Sequence, residues 1–163
     1  MNRFFADEIR TKSAQIRAQG ISEERIGRIL QAYRNIMKAA WIGRNDGLLD
    51  LEEFAINFDD GSAAGRLFAR LIVCVCNGFD PGLVEEIGAF KAAALDLPDY
   101  DGLILVMCIR GVLYIQAGHH PCAVHELLIS MWPEELYEPI RKQEGWGVGE
   151  NEDPTDVFWN GRF

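Results

Sequence analysis

Long hydrophobic runs are absent from this sequence of 163 residues. The longest uninterrupted apolar stretch, from Leu103 to Ile109, is followed at once by Arg110, whereas a membrane-spanning helix needs about 20 apolar residues. The opening MNRFFADEIR places acidic side chains near its start and holds no apolar core of a signal peptide. We therefore expect a soluble, cytoplasmic protein without membrane insertion.

Positive charge is also scarce. The 16 Lys and Arg residues are outnumbered by 25 Asp and Glu residues, so the net charge is −9. Binding to phosphate backbones or to anionic lipid needs clustered Lys and Arg, so this balance argues against nucleic-acid and membrane-surface partners. It is typical of a well-solvated cytosolic protein or of one that meets a basic partner.

Signatures of catalysis are missing as well. The sequence has no Gly-rich phosphate loop, no GxSxG, no HExxH and no kinase motif set. Of the four cysteines, Cys74, Cys76 and Cys108 lie in strongly apolar segments, which is typical of buried thiols, and Cys122 lies outside them. We expect no disulfides, no cofactor and no catalytic residue.

One His/Cys-rich stretch, HHPCAVH, keeps an alternative open. It contains His119, His120, Cys122 and His125. Cys122 and His125 are three positions apart, so they can face one way on a helix as zinc ligands do, and a Cys–His pair is also the basis of thiol catalysis. Against this, His120 precedes Pro121 where it can cap a helix, and no CxxC pair supports the cluster. The alternative is a metal-dependent or thiol enzyme that uses these four residues.

Apolar residues recur at three- and four-residue spacing, which is the period of amphipathic helices. The longest such segment follows the predicted N-cap Ser22 and runs to about Arg44, and no segment shows the alternation of a strand. We predict an all-α, single-domain helical bundle over residues 1–144. An acidic irregular tail follows over residues 145–163, with the aromatic residues Phe158, Trp159 and Phe163 near its end.

Two turns of the predicted bundle share the same glycine and proline pattern. In GFDP at residues 78–81 and GHHP at residues 118–121, a glycine ends one helix and a proline opens the next. Such short turns fold the flanking helices back on each other. The pattern predicts two helical hairpins packed against a longer N-terminal helix, with the nearly all-apolar segment from Leu103 to Ile115 at the centre.

The stretch WIGRNDGLLDLEEF, residues 41–54, matches part of the sequence pattern of an EF-hand calcium loop. With Gly47 at the sixth loop position, Ile42 and Arg44 occupy the first and third positions, where calcium needs oxygen ligands. The calcium interpretation is therefore disfavoured. Instead we expect Gly47 to separate the long helix from a short one, whose apolar contacts are Leu48, Leu49, Leu51 and Phe54.

Three blocks of sequence, RNDGLLDLEE, FARLIVCVCNGFDPGLVEEI and RGVLYIQAGHHPCAVHELL, occur in this order. The set resembles the cytoplasmic segments of the MotA family of flagellar stator subunits, whose motif is Arg-x-x-Gly-Leu-Leu-x-Leu-Glu. The family's four transmembrane helices have no counterpart, because only GAFKAAALDLPDYDG separates Ile87 from Leu103. The resemblance therefore implies the cytoplasmic part of a stator and excludes an ion channel.

The resemblance also implies a partner-binding corner. In the family, the Arg and the Glu of the motif face the rotor's switch protein, and the matching positions here are Arg44 and Glu52. The neighbouring acids Asp46, Asp50 and Glu53 depart from the family pattern and add negative charge to the corner. The alternative is that Arg44 is an ordinary charge at a helix end and Glu52 a solvated surface acid, each contributing little to stability.

These observations lead us to expect a protein–protein interaction or motility-modulating module. Its expected partner is a flagellar rotor switch protein or a stator subunit, bound through Arg44, Glu52, Asp46 and Glu53. We expect a monomer or a dimer, because the family's rings assemble largely through membrane helices that this sequence lacks.

Overall fold

The computed structural model describes residues 3–144, so the predicted acidic tail lies outside the described residues. The described residues form eight α-helices and no strand, which confirms the predicted all-α bundle. None of these eight helices is long and apolar enough to cross a bilayer. In chain order they are α1 (Arg3–Gln19), α2 (Glu23–Asn45), α3 (Leu48–Asn57), α4 (Ala63–Cys76), α5 (Pro81–Leu95), α6 (Asp99–Gln116), α7 (Pro121–Ile129) and α8 (Glu134–Glu144).

Side-chain caps mark the starts of four helices, including the predicted caps at Ser22 and His120. The side chains of Ser22, Ser62, Asp80 and His120 each accept a hydrogen bond from a backbone N–H in the first turn of α2, α4, α5 and α7, respectively. These caps satisfy donors that have no partner within the helix. Pro81 and Pro121 open α5 and α7, so both predicted helical hairpins are present.

Helix α6 lies at the centre and packs against α1, α2, α4, α5 and α7. Its residues from Leu103 to Ile109 are buried on every side, as the continuous apolar sequence predicts. Two glycines bring neighbouring helices close: a Cβ at Gly88 of α5 would lie 2.5 Å from the Ile109 Cγ2 methyl, and one at Gly111 of α6 would lie 2.5 Å from that of Ile36 on α2.

The two Gly-x-x-Pro turns lie side by side at one end of the bundle. The amide Nε2 of Gln116, at the end of α6, donates a hydrogen bond to the carbonyl of Phe79 in the other turn (2.6 Å). Arg44, near the end of α2, donates from Nη1 to the carbonyl of Gly118 (3.3 Å). This end of the molecule, which we call the turn end, therefore links the last turns of α2, α4 and α6.

Two expectations about burial are wrong. Leu48 and Leu49 were expected to pack inward, but they are 57% and 82% exposed, because α3 buries Leu51 and Ala55 instead. Cys74 and Cys76 are only half-buried, in contrast to the buried Cys108. The whole last turn of α4, residues 73–76, is half-buried because it reaches the turn end, where the core stops.

Candidate functional site

The predicted partner-binding residues lie where α2 turns into α3. Helix α2 ends at Asn45, and the N–H of Asp46 donates to the carbonyl of Ile42 (2.8 Å). Gly47 then adopts a φ of 101°, a conformation that residues with a side chain avoid. The chain changes direction at this glycine, so residues 44–53 form a corner as the sequence predicts, with Arg44, Asp46, Asp50 and Glu53 exposed and Glu52 half-buried.

Two of the predicted residues, Asp46 and Glu53, lie together in an open cleft of about 610 Å³ between α2 and α3. Asp50 and Asp59 line the same cleft, which we call the acidic cleft. Its apolar wall consists of Ile42, Phe54 and Phe58, and the ammonium of Lys38 lies 5.8 Å from the centre of the Phe54 ring. Four carboxylates against one ammonium favour a cationic group from a partner.

Arg44 and Glu52 lie on different sides of the corner. Arg44 lines a separate cleft of about 380 Å³ with Asn45 and His119, next to its hydrogen bond with Gly118. Glu52 lies toward the end of α4, where burial and then the Glu52 carboxylate raise the pKa of the Cys76 thiol. Neither charge forms an ion pair with any residue between 3 and 144, so the corner presents them separately.

Sequence reasoning missed the outward-facing apolar residues of α3. Leu49 is 82% exposed and Ile56 is 69% exposed. Seven positions apart, they lie almost in line along the helix, with Glu53 on one side and Glu52 on the other. We call these four residues the outer face of α3. The seven-residue spacing of Leu49 and Ile56, opposite Leu51 and Ala55, is the sequence signal that could have revealed it.

The His/Cys-rich stretch is dispersed in the structure. His120 caps α7, the exposed His119 ring lies 6.0 Å from the Tyr114 ring, and Cys122 is half-buried. His125 is buried, and its Nδ1 forms a 2.7 Å hydrogen bond with the hydroxyl of Tyr33. Within residues 3–144, no group of three or more His, Cys, Asp or Glu side chains is arranged to hold a metal ion.

Burial explains the protonation of the Tyr33–His125 pair. Removal from water lowers the pKa of His125 to about 4, so the imidazole is neutral at physiological pH. Burial, together with the carboxylates of Glu144 and Glu126, raises the pKa of Tyr33. Trp132 packs edge-on against Tyr33 at 5.8 Å. The neutral side chains of Tyr33 and His125, hydrogen-bonded to each other and packed beside Trp132, therefore form a structural link between α2 and α7.

Comparison with known proteins adds no relative to this description. No family model matches the chain, and neither the curated proteins nor the solved structures contain a significant match. The geometry of the corner and of the outer face of α3 is therefore the basis on which a function is proposed.

Proposed function

We propose that this chain is a cytoplasmic protein–protein interaction module that binds its partner through the outer face of α3. The observation that carries the proposal is the exposure of Leu49 and Ile56, aligned on one helix and flanked by Glu52 and Glu53. Burying apolar surface is favourable by about 25 cal/mol per Å². Two aligned aliphatic side chains therefore provide a driving force for association that an all-polar helix surface lacks.

The charges around this face define the partner's chemistry. Glu52 and Glu53 flank the apolar residues, and the acidic cleft adds Asp46 and Asp50 on one side. A complementary surface is an apolar groove rimmed by Lys and Arg, which receives an amphipathic helix by its aliphatic anchors. The rim charges would raise the association rate and exclude acidic competitors more than they raise affinity.

The resemblance to MotA cytoplasmic segments supports a specific partner. It favours a flagellar rotor switch protein, or a stator subunit, as the bearer of the basic groove, and so a role in modulating motility. In this proposal Arg44 also contacts the partner. Its guanidinium has five N–H donors, so it can meet a partner carboxylate while one of them stays on the Gly118 carbonyl.

The test uses two double variants, each of which removes two exposed apolar side chains seven positions apart. Leu49→Ala with Ile56→Ala removes the apolar anchors of α3, whereas Leu83→Ala with Phe90→Ala removes two exposed apolar residues, also seven apart, from α5. Exposed substitutions change stability by about 0.5 kcal/mol or less, so neither variant should unfold. Calorimetric titration with the host's purified rotor switch protein should show at least a roughly tenfold weaker Kd for the α3 variant alone.

A photo-crosslinking residue at position 49, compared with one at position 90, examines the same surface in the host cell. Crosslinks to a rotor or stator protein from position 49 would support the proposed partner. If both double variants bind like the wild type, or if position 49 crosslinks no more than position 90, the outer face of α3 is not an interface.

A further inference from the structure

Helix α5 is apolar on the side that faces away from the core as well as on the side that faces it. Its buried residues are Val84, Gly88 and Ala92. On the outer side, four apolar residues form a stripe along the helix: Leu83, Ile87, Phe90 and Ala94. We call these four residues the α5 seam.

The α5 seam has the spacing of a coiled coil. Its members are four, three and four positions apart, which is the alternation of the two apolar positions in a heptad repeat. Phe90 is 67% exposed and Leu83 is 40% exposed. Within residues 3–144, α5 packs mainly against α4 and α6, which leaves this side of the helix open. A second helix with the same spacing would cover the seam and remove its apolar side chains from water.

Two opposite charges flank the α5 seam. Glu86 and Lys91 are exposed and lie on either side of it, each about 70° around the helix from its centre. Neither forms an ion pair with any residue between 3 and 144. The two residues are five positions apart, which is the spacing of the ion pairs that link parallel helices of a coiled coil. The flanking charges therefore complement a second, identical helix.

The same charges select the direction of that second helix. In a parallel pair of α5 helices, Glu86 of each copy lies opposite Lys91 of the other, which gives two ion pairs by symmetry. In an antiparallel pair, each side of the seam brings like charges together, Glu86 beside Glu86 and Lys91 beside Lys91. Charge complementarity thus favours the parallel arrangement, although the apolar seam alone fits both.

We propose that two copies of this chain associate through the α5 seam in parallel, with Glu86 of each copy paired with Lys91 of the other. The two-fold axis closes the assembly at a dimer. Gly88 fixes the orientation of α5 beforehand, because a Cβ there would lie only 2.5 Å from the Ile109 Cγ2 methyl of α6. One helix of 15 residues per copy makes a small contact, so the dimer is weak and depends on concentration.

Sedimentation velocity of the full chain tests the association. We expect a monomer at about 10 µM and a growing dimer fraction toward about 1 mM, the range of a small contact. Leu83→Ala with Phe90→Ala removes the largest exposed side chains of the seam and should keep the chain monomeric throughout. A wild type that stays monomeric would overturn the proposal, because a different partner or another part of the chain would then cover the seam.

Charge reversal tests the pairing across the seam. Glu86→Lys turns both ion pairs into repulsive pairs and should weaken the Kd of the dimer about tenfold. Glu86→Lys combined with Lys91→Glu restores both pairs in exchanged positions and should recover the wild-type Kd. A double variant that dimerises as weakly as the single variant would contradict the parallel pairing.

Two neighbouring alanines of α5 test the direction by disulfide formation under mild oxidation. Ala94→Cys lies on the seam opposite the same position of the second copy, whereas the exposed Ala93→Cys points to one side of it. We expect at least about tenfold more disulfide-linked dimer from Ala94→Cys. The wild type, oxidised in parallel, measures the contribution of the native cysteines. Equal crosslinking of the two variants would overturn the parallel arrangement, because antiparallel helices hold the two copies of position 94 about 16 Å apart.

The α5 seam and the outer face of α3 are separate surfaces, so the two proposals can fail independently. Helix α3 packs on α2 and α4, whereas α5 packs on α4 and α6. The α5 double variant should therefore be a monomer that still binds a partner through α3, and the α3 double variant should still dimerise. A photo-crosslinking residue at position 90 should join two copies of the chain and capture no rotor or stator protein.

Discussion

At the residue scale, the buried Tyr33–His125 pair is the feature with the clearest consequence for stability. His125 is only 4% exposed, and this burial lowers its pKa to about 4, so the imidazole is neutral. In the unfolded chain a histidine titrates near its ordinary value of about 6.5. Between these two values the unfolded chain binds a proton that the native protein does not, so acid favours unfolding.

The expected pH dependence follows in sign and size. The stability linked to His125 is complete above about pH 6.5, falls as the pH drops toward 4 and is constant below that, with a total loss of about 3 kcal/mol. Urea unfolding at pH 7 and pH 4.5 should show a smaller decrease for His125→Gln than for the wild type. The exposed His119→Gln should keep the wild-type decrease, and an unchanged decrease in His125→Gln would contradict the assignment.

At the scale of the element, sequence signals gave the helices but not their orientation about their own axes. The caps at Ser22, Ser62, Asp80 and His120 follow from residue types at fixed offsets, which are local properties. Which side of α3 faces the core depends on how α3 packs on α2 and α4. Leu48 and Leu49 were therefore misplaced, although α3 itself was expected.

The same contrast between local signals and contacts between helices explains which parts of the candidate site were predictable. The corner at Gly47 was predictable because a glycine with positive φ ends a helix. The separation of Arg44 from Glu52, and the meeting of Asp46 with Asp59 in the acidic cleft, depend on contacts between helices. Likewise, Tyr33 and His125 are 92 positions apart, and nothing local to either residue indicates their hydrogen bond.

Close packing of α2 on α6 can be tested with two glycines. Gly111→Ala places a methyl 2.5 Å from the Ile36 methyl, and overpacking of this kind is destabilising by about 1–3 kcal/mol. Gly27→Ala, on the exposed side of α2 with nothing within 4 Å, should stabilise by up to about 1 kcal/mol through helix propensity. If urea unfolding showed that both variants are stabilised equally, α6 would not approach α2 as closely as described.

At the scale of the whole molecule, one core surrounds α6, and five helices depend on it. Its central residues touch several helices at once, so a defect there weakens the whole bundle. The outer face of α3, by contrast, contributes apolar side chains that the core does not use. Stability and the proposed binding are therefore assigned to different residues of the same small protein.

Two leucines separate these roles experimentally. Leu103→Ala, at a fully buried position, should reduce the free energy of unfolding by about 2–5 kcal/mol. Leu49→Ala, at an 82% exposed position, should change it by no more than about 0.5 kcal/mol. Unfolding followed by circular dichroism and by tryptophan fluorescence should give one coincident transition for each variant. Two separate transitions would show that the described bundle is not a single cooperative unit.

The hydrogen bonds at the turn end have a mechanical consequence. Gln116 holds the turn at Phe79, and Arg44 holds the turn at Gly118, so the ends of three helices are joined across the chain. Helix α3 is connected to this junction through Gly47, only three residues beyond Arg44. We therefore expect a pulling force applied to α3 to be shared among α2, α4 and the central helix α6.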